Sequence, residues 1–390
     1  MRAKMKKILF FMPDNPLKKN SGNKIRALSF LQYFKSRGFN VHFVSEYFWG
    51  EWTDDDIRQF ENSNLTRTTS VLYRKPFKRN FFYYFFCYVL PNFFYQKKLS
   101  ITPTPFPELV TYRLKKAFNN ILIKNDFDYI FINYASWSTL IEDNKLIKNA
   151  KTILDTHDFL TAQNQQKFKI GPSFQEEIRR LSLFDLVLAI SIEEQYIFSQ
   201  FCKSEVKLAP MMIERPKENP ILVSKRKFDI IYVASKNPHN VQAANWFMTL
   251  VYPLLPKSVN ICIIGEITQY IGNDHPNITT IPFAQDLSTY YEQAKVAICP
   301  MLSGTGTKIK VIEALSYSLP IVCNLRGVDG LVNKSNNGCL VSDNPEEFKE
   351  YITTLLNDQQ EYDKQSLLAR DTFESNYEEE NCYKKLDRLF

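Results

Sequence analysis

The sequence predicts an α/β fold of two doubly wound parallel-sheet domains. Three observations carry this: the length, a repeated alternation of short apolar runs with amphipathic stretches, and one break in that alternation past the middle. The chain has 390 residues, and domains usually hold about 100–200, so two are expected. In the first half the apolar runs are Lys7–Met12, Asn40–Glu46, Phe127–Tyr134, Lys151–Asp158, Asp185–Ser191 and Val206–Met212. In the second they are Phe228–Ser235, Val259–Glu266, Ile278–Phe283, Lys295–Met301, Leu319–Leu325 and Asn337–Asp343. Continuous rather than alternating hydrophobicity suits strands covered on both faces. Gly22–Arg37, Val241–Leu254, Asp286–Ala294 and Thr307–Ser318 have helical spacing. Strand–helix alternation implies parallel sheets with right-handed crossovers. Ile213–Lys227, with Pro216, Pro220 and many charges, interrupts the pattern and reads as a linker. The expected organisation is therefore a first domain over 1–212, a linker over 213–227, a second domain over 228–361 and a charged helical tail over 362–390. That tail is a candidate to cross back onto the first domain.

Composition narrows the class. A charged fraction of 23% beside 44% hydrophobic residues is globular and argues against disorder. Residues 1–100 hold 18 Lys and Arg against 7 Asp and Glu, while the whole chain carries +7. A basic first domain suggests an anionic partner, and without a nucleic-acid-binding motif a membrane surface fits better than nucleic acid. The seven cysteines form no CxxC pair and several sit in apolar runs, which reads as reduced buried thiols of a cytoplasmic protein. No metal-ligand cluster is evident among the four histidines. The N-terminal apolar run is too short for a signal peptide, and no run is long enough to span a bilayer.

Residues 73–98 depart from the scheme, with ten aromatics between Phe81 and Tyr95 and basic residues on both sides. Aromatic rings favour the bilayer interface, and flanking lysines favour anionic lipid. The insertion is expected either to dock on a membrane on the inner face of the cell or to form a groove for an acceptor lipid, or else to pack its rings against the sheet.

Ligands of open α/β sheets bind beyond the carboxyl ends of strands. The first candidate there is the stretch from Pro300 through Gly304, Thr305, Gly306, Thr307 and Lys308, where a strand runs into a helix carrying Glu313. Free N–H groups at such a turn suit phosphate oxygens, and Lys308 adds a point charge. The plainer reading is a capped helix, with Thr305 or Thr307 as N-cap and Glu313 paired with Lys310. A second candidate is His157, flanked by Asp155 and Asp158 at a strand end, able to meet a sugar hydroxyl or a phosphate, or else simply structural. A third is Ser21, Gly22 and Arg26, opening a helix after the first strand; it lacks the dinucleotide and Walker fingerprints. A fourth is Ser235 with Lys236, again after a strand, with a solvated lysine as the plainer alternative.

These positions together resemble the retaining glycosyltransferases of the GT-B fold, in particular their family 4. The likeness is most specific in GTGTKIKVIEALS and extends over PFAQDLSTYYEQAKVAICPM, IIYVASKNPHNVQAANW and, more loosely, SGNKIRALSFLQYFKSRGFNVHFVS, DTHD and FDLVLAIS. It leaves out residues 47–120. The resemblance implies two Rossmann-like domains facing each other across a cleft, with a nucleoside-diphosphate sugar as donor. By the same resemblance Glu313 would bind the donor ribose. Gly304, Thr305, Gly306 and Thr307 would hold the diphosphate and sugar through N–H groups, and Ser235 belongs to this donor side. Lys308 and Lys236 would neutralise the leaving group. Gly22 would approach the phosphates from the first domain, with Ser21, Arg26 and Asp158 on the acceptor and phosphate side, and His157 would contact the sugar. Thr305 stands where many relatives carry a second glutamate, which leaves the donor sugar open.

The reaction so implied is transfer to a hydroxyl of a glycan or lipid-linked acceptor, with retention, without metal or other cofactor, in surface polysaccharide or glycolipid synthesis. Fixed N–H groups and lysines would stabilise the diphosphate as it leaves, and domain closure would exclude water. Asp54-Asp55-Asp56 has the spacing of a metal-binding Asp-x-Asp but follows no strand and reads as a helix start. Two alternatives stand beside the transferase: a nucleotide-sugar 2-epimerase, and a noncatalytic subunit that binds nucleotide or a partner.

Overall fold

The computed structural model describes residues 5–77, 80–98, 106, 108–164, 169–216, 221–272, 275–304 and 306–390. Thr305 therefore lies outside the described residues. The chain divides into two compact units, Met1–Ala209 and Pro210–Phe390.

The sheet of the first unit is built from β1 (Lys7–Phe11), β2 (Asn40–Glu46), β3 (Thr68–Leu72), β4 (Tyr129–Asn133), β5 (Lys151–Asp155), β6 (Leu186–Ala189) and β7 (Glu205–Leu208). Its order is β3-β2-β1-β4-β5-β6-β7, and every described pairing is parallel. The register sets Phe10 opposite Phe43 on one side and Phe131 on the other. The three rings stack, Phe10 and Phe131 at 4.8 Å between centroids. Phe30 and Phe34 of the helix Gly22–Ser36 close over them. The opposite face, with Leu9, Phe11, Ile130 and Ile132, packs on Leu114, Phe118 and Leu122 of the helix Tyr112–Lys124. Six of the seven strands match the expected apolar runs. β3 was not expected, because an edge strand reading Thr-Thr-Ser-Val-Leu is only half-buried and carries little apolar signal. Asp54–Asn62 is indeed a helix, with Thr53 and Asp56 forming a reciprocal capping box.

The second unit repeats the plan with β8 (Phe228–Val233), β9 (Ile261–Ile264), β10 (Ile278–Ile281), β11 (Ala294–Cys299), β12 (Ile321–Cys323) and β13 (Cys339–Val341), ordered β10-β9-β8-β11-β12-β13. Its core unites Ile230, Tyr232, Ile261, Ile263, Val296 and Ile298 with Phe247 and with Phe348 and Ile352 of the helix Pro345–Asn357. The tail is helical, Gln359–Asn376 and Glu379–Leu386, and falls in the second unit. There Ser366 Oγ donates to the Ser318 carbonyl, and Val332 N–H donates to the Tyr377 hydroxyl. Residues expected in the linker are held by the same tail: Ile213 bridges Glu378, and Arg215 pairs with Glu374.

In both sheets the order reverses direction beside the first strand, between β1 and β4 and between β8 and β11. Helices leave from opposite faces there, so the carboxyl ends of these strands open onto a crevice.

Candidate functional site

In the second unit, β11 leads through Gly304, Gly306 and Thr307 into the helix Ile309–Ser316. Gly304 and Gly306 both adopt positive φ, 92° and 76°, a region that favours glycine. A Cβ on Gly304 would come within 3.3 Å of the His239 ring, whereas one on Gly306 would meet open space. His239 is tied in turn to Ser303, its Nδ1 2.8 Å from Oγ, and Ser303 donates to Gln242. Lys308 stands at the N-cap position but is nearly buried, and its ammonium donates to the carbonyls of Gly306 (2.7 Å) and Gly304 (3.4 Å). The lysine thus shapes the loop from within, which places its charge under the turn rather than out in solvent. Burial lowers its pKa.

The plainer reading of this helix fails on geometry. Thr307 makes no cap; its hydroxyl is buried without a partner. Lys310 donates to Asn240 Oδ1 at 2.8 Å rather than to Glu313. Glu313 instead faces a cavity of about 480 Å³ whose wall also holds Arg215, Asp286, Ser288, Tyr291 and Tyr317. The Tyr291 hydroxyl lies 3.3 Å from Glu313 Oε2, and the Tyr291 and Tyr317 rings stack at 5.0 Å. Burial pushes the Glu313 carboxyl up to about 7, against the opposing pull of Tyr291 and Lys310. Hydroxyl donors entering the cavity would favour the carboxylate. Lys236 is half exposed and paired with Glu266 at 3.0 Å, and Ser235 Oγ accepts from Asn240 and Asn237.

A second cluster occupies the carboxyl ends of β1, β4 and β5 in the first unit. Ser21 precedes the helix Gly22–Ser36 without capping it, its hydroxyl given to Asn23 instead. Asn23 donates to Asp14, and no acidic residue sits in that helix's first turn, so its N-terminus keeps its positive end dipole. Arg26 corrects an expectation: it is fully buried and grips Asp155 through Nε (2.8 Å) and a terminal nitrogen (2.6 Å). An arginine so enclosed serves the interior and is not presented to an acceptor phosphate.

Asp155 also receives His157, with Nε2 3.1 Å from Oδ2 and 2.8 Å from Asn133 Oδ1. Asn133 donates its amide to the Phe11 carbonyl, which fixes Oδ1 toward the imidazole. Two acceptors around Nε2 put the ring proton there. Nδ1 is then a bare acceptor, and it is buried without a partner. Burial holds the imidazole neutral, with its pKa down near 4. A neutral acceptor suits a hydroxyl and does not suit a phosphate. His157 and Tyr134, whose rings stack at 4.3 Å, both hold positive φ, 61° and 69°. Such strain in residues with a Cβ gathers at functional sites. Asp158 beside them is raised to about 7, by burial and then by Glu177, and Glu194 to about 8, by burial and then by Asp158.

Of the residues expected at the site, the structure thus gathers Ser21, Gly22, His157 and Asp158 at one strand-end region of the first unit. It sets Gly304, Gly306, Thr307, Lys308 and Glu313 on one strand–loop–helix passage of the second. Tyr291, Tyr317 and Arg215 at the cavity, and Asn133 and Tyr134 beside His157, were missed. Tyr291 and Tyr317 sit in stretches where tyrosine signals only amphipathicity, and Arg215 sits in a stretch that read as linker.

Comparison with known proteins gives this geometry a class. Residues 227–358 match the family described as glycosyl transferases group 1. The chain is 21% identical, over 89% of its length and 90% of the relative's, to an uncharacterized 44.6 kDa protein in the cps region of Klebsiella pneumoniae. Over 24% of its length, and 29% of the relative's, it is 34% identical to an uncharacterized glycosyltransferase of Haemophilus influenzae. Among solved structures it is similar to Anabaena HepE in complex with UDP-glucose, with a TM-score of 0.68 and 14% identity over 98% of each chain. The fold is GT-B, two Rossmann-like parallel-sheet domains. With its glycosyl transferases group 1 domain in the second unit, the chain is a glycosyltransferase.

Proposed function

We propose that the chain moves a sugar from a nucleoside-diphosphate sugar to a hydroxyl of a glycan or lipid-linked glycan, with retention and without a metal, in bacterial surface polysaccharide or glycolipid assembly on the cytoplasmic side. The observation that carries the reading is the Glu313 cavity inside the matched domain. Its size is in the range of small-molecule sites, and the buried Glu313 carboxyl beside stacked tyrosines suits a ribose diol beside an aromatic base. The relative in the cps region supports the polysaccharide setting, and the UDP-glucose bound to HepE supports a nucleotide-sugar donor.

In this reading the N–H groups around Gly306 and Thr307, with Lys308 beneath them, receive the diphosphate. Negative charge grows on it as the bond to the sugar carbon breaks, and fixed donors stabilise that charge without reorganising. Thr307, whose hydroxyl has no partner, supplies one more donor. His157 offers its bare Nδ1 to a sugar hydroxyl. Gly22 and Ser21 present a helix N-terminus to phosphate, and Asp158, near neutrality in pKa, belongs to the acceptor side. Lys236, paired with Glu266, adds a further charge on the donor side.

The test is product analysis with a panel of UDP- and GDP-sugars, with and without glycan acceptors. A glycoside formed only when acceptor is present is the expected result. Sugar inverted at C2, formed without acceptor, would assign the site to an epimerase. Nucleotide binding without turnover on any donor would make the chain a binding subunit.

A further inference from the structure

Residues 81–98 form one continuous helical stretch, Phe81–Tyr84, a π-turn Phe85–Val89 and Leu90–Lys98. Tyr84, Tyr88, Asn92 and Tyr95 lie on its half-buried side. Tyr95 packs against the core of the first unit, and Asn92 accepts the Tyr112 N–H at 3.1 Å. The other side carries Phe81, 75% exposed, Phe82, 70%, and Phe86, 59%, followed by Phe93 and Phe94. A surface helix ordinarily turns its most apolar face to the core. Here Tyr84, Tyr88 and Tyr95 face in while the phenylalanines and Tyr83 face out, and an exposed apolar patch of this kind marks a contact surface.

Charge says what the contact is. From Asn62 to Pro107 the sequence has no Asp or Glu and seven basic residues: Arg67, Arg74, Lys75, Lys78, Arg79, Lys97 and Lys98. Lys97 lies over the Phe93 ring at 4.5 Å. At the start of the helix a cavity of about 480 Å³ is lined by Lys75 and Arg113 together with Tyr73, Phe77, Asn80 and Tyr83. A second copy of the chain docking here by two-fold symmetry would set this basic face against itself. Among the described residues no helix is long and apolar enough to cross a membrane.

We propose that this face seats on the surface of an anionic phospholipid bilayer. The phenylalanines enter the interfacial layer, and Lys75, Lys97 and Arg113 meet lipid phosphates. The proposal does not rest on sugar transfer, and its test needs no donor.

The test is flotation of the full chain with vesicles of phosphatidylcholine alone or of phosphatidylcholine mixed with phosphatidylglycerol. Flotation with the mixed vesicles only, weakening with salt, is expected. The combined Phe82→Ser, Phe86→Ser and Phe94→Ser variant is expected to lower the partition coefficient by at least about tenfold. Lys75→Ala with Lys97→Ala is expected to lower it by about fivefold per charge. Thermal melts matching the wild type would show that both variants fold; the three phenylalanines and Lys97 are exposed and Lys75 is half-buried. No flotation with anionic vesicles, or flotation indifferent to both sets of substitutions, would overturn the proposal. So would a vesicle-free dimer that the phenylalanine variant dissociates, because that result gives the face to a second copy.

Discussion

Glu313 is the residue on which donor recognition turns. Its carboxyl is pushed up to about 7 by burial, so a ligand that donates hydroxyl hydrogens to it meets a group poised between two protonation states. Glu313→Gln keeps the shape and loses the charge-assisted acceptor, and should weaken donor binding by about ten- to a hundredfold. Isothermal titration of the binding nucleotide sugar measures this. The buried groups of the first unit give a pH signature with two signs. Glu194 titrates near 8 when folded against an ordinary 4.5, and Asp158 near 7 against 3.8. Each favours the folded state most below its ordinary value and loses that contribution as pH rises toward its folded one. His157, near 4 against 6.5, acts oppositely: the unfolded chain binds its proton first, so acid from 6.5 to 4 destabilises the fold. The melting temperature should therefore fall between pH 5 and pH 8 in the wild type and fall less in Glu194→Gln, which stays neutral while still accepting from Thr156. An identical slope in the two proteins would refute the assignment. Little of this was legible in the sequence. Glu313 and His157 stood out by place and resemblance, but that Arg26 would be spent on Asp155, or that Lys308 would fold back onto its own loop, depends on side-chain partners 129 and 4 residues away.

At the scale of the element, the donor passage is a strand, a turn and a helix held from outside. Gly330, at φ 82°, lies against the turn: a Cβ there would sit 2.1 Å from Thr307 Oγ1. Gly330→Ala should therefore displace Thr307 and the turn it belongs to, costing about 1–3 kcal/mol of stability and weakening nucleotide binding more than Gly38→Ala. Gly38 has a similar φ but nothing within 4 Å of its Cβ, so the pair separates backbone strain from displacement of the turn. Elements were the most legible layer. Runs buried on both faces announce themselves by continuous hydrophobicity, and β2 and β10 begin where their runs begin. Lys151–Asp158 ran past the end of β5 at Asp155 because Thr156 stays tied to the Leu188 carbonyl of β6 and His157 is buried against Asp155 and Asn133. β3 stayed hidden because an edge strand has one neighbour and half its surface in water.

At the scale of the molecule, two sheets with separate cores imply two cooperative units. Calorimetry should resolve two transitions. A nucleotide sugar at 100 times its dissociation constant should stabilise the second unit by about 2.7 kcal/mol, and at the same ligand concentration Glu313→Gln should lower that shift to about 0.4–1.4 kcal/mol. The repeat of one strand order in both halves was foreshadowed by about six apolar runs on either side of 213–227, yet that interval itself misled. Pro216 and its charges read as a spacer, whereas Ile213 and Arg215 are pinned by the tail and help wall the cavity. Donor recognition depends on that wall accepting the nucleoside of a nucleoside diphosphate. The most direct measurement is competitive titration of UDP, GDP and their sugars into the wild type and Glu313→Ala. At least one nucleotide series should saturate a single site, and the substitution should weaken the preferred member by about tenfold or more. Equal affinity in the two proteins, or no binding by any member, would contradict this.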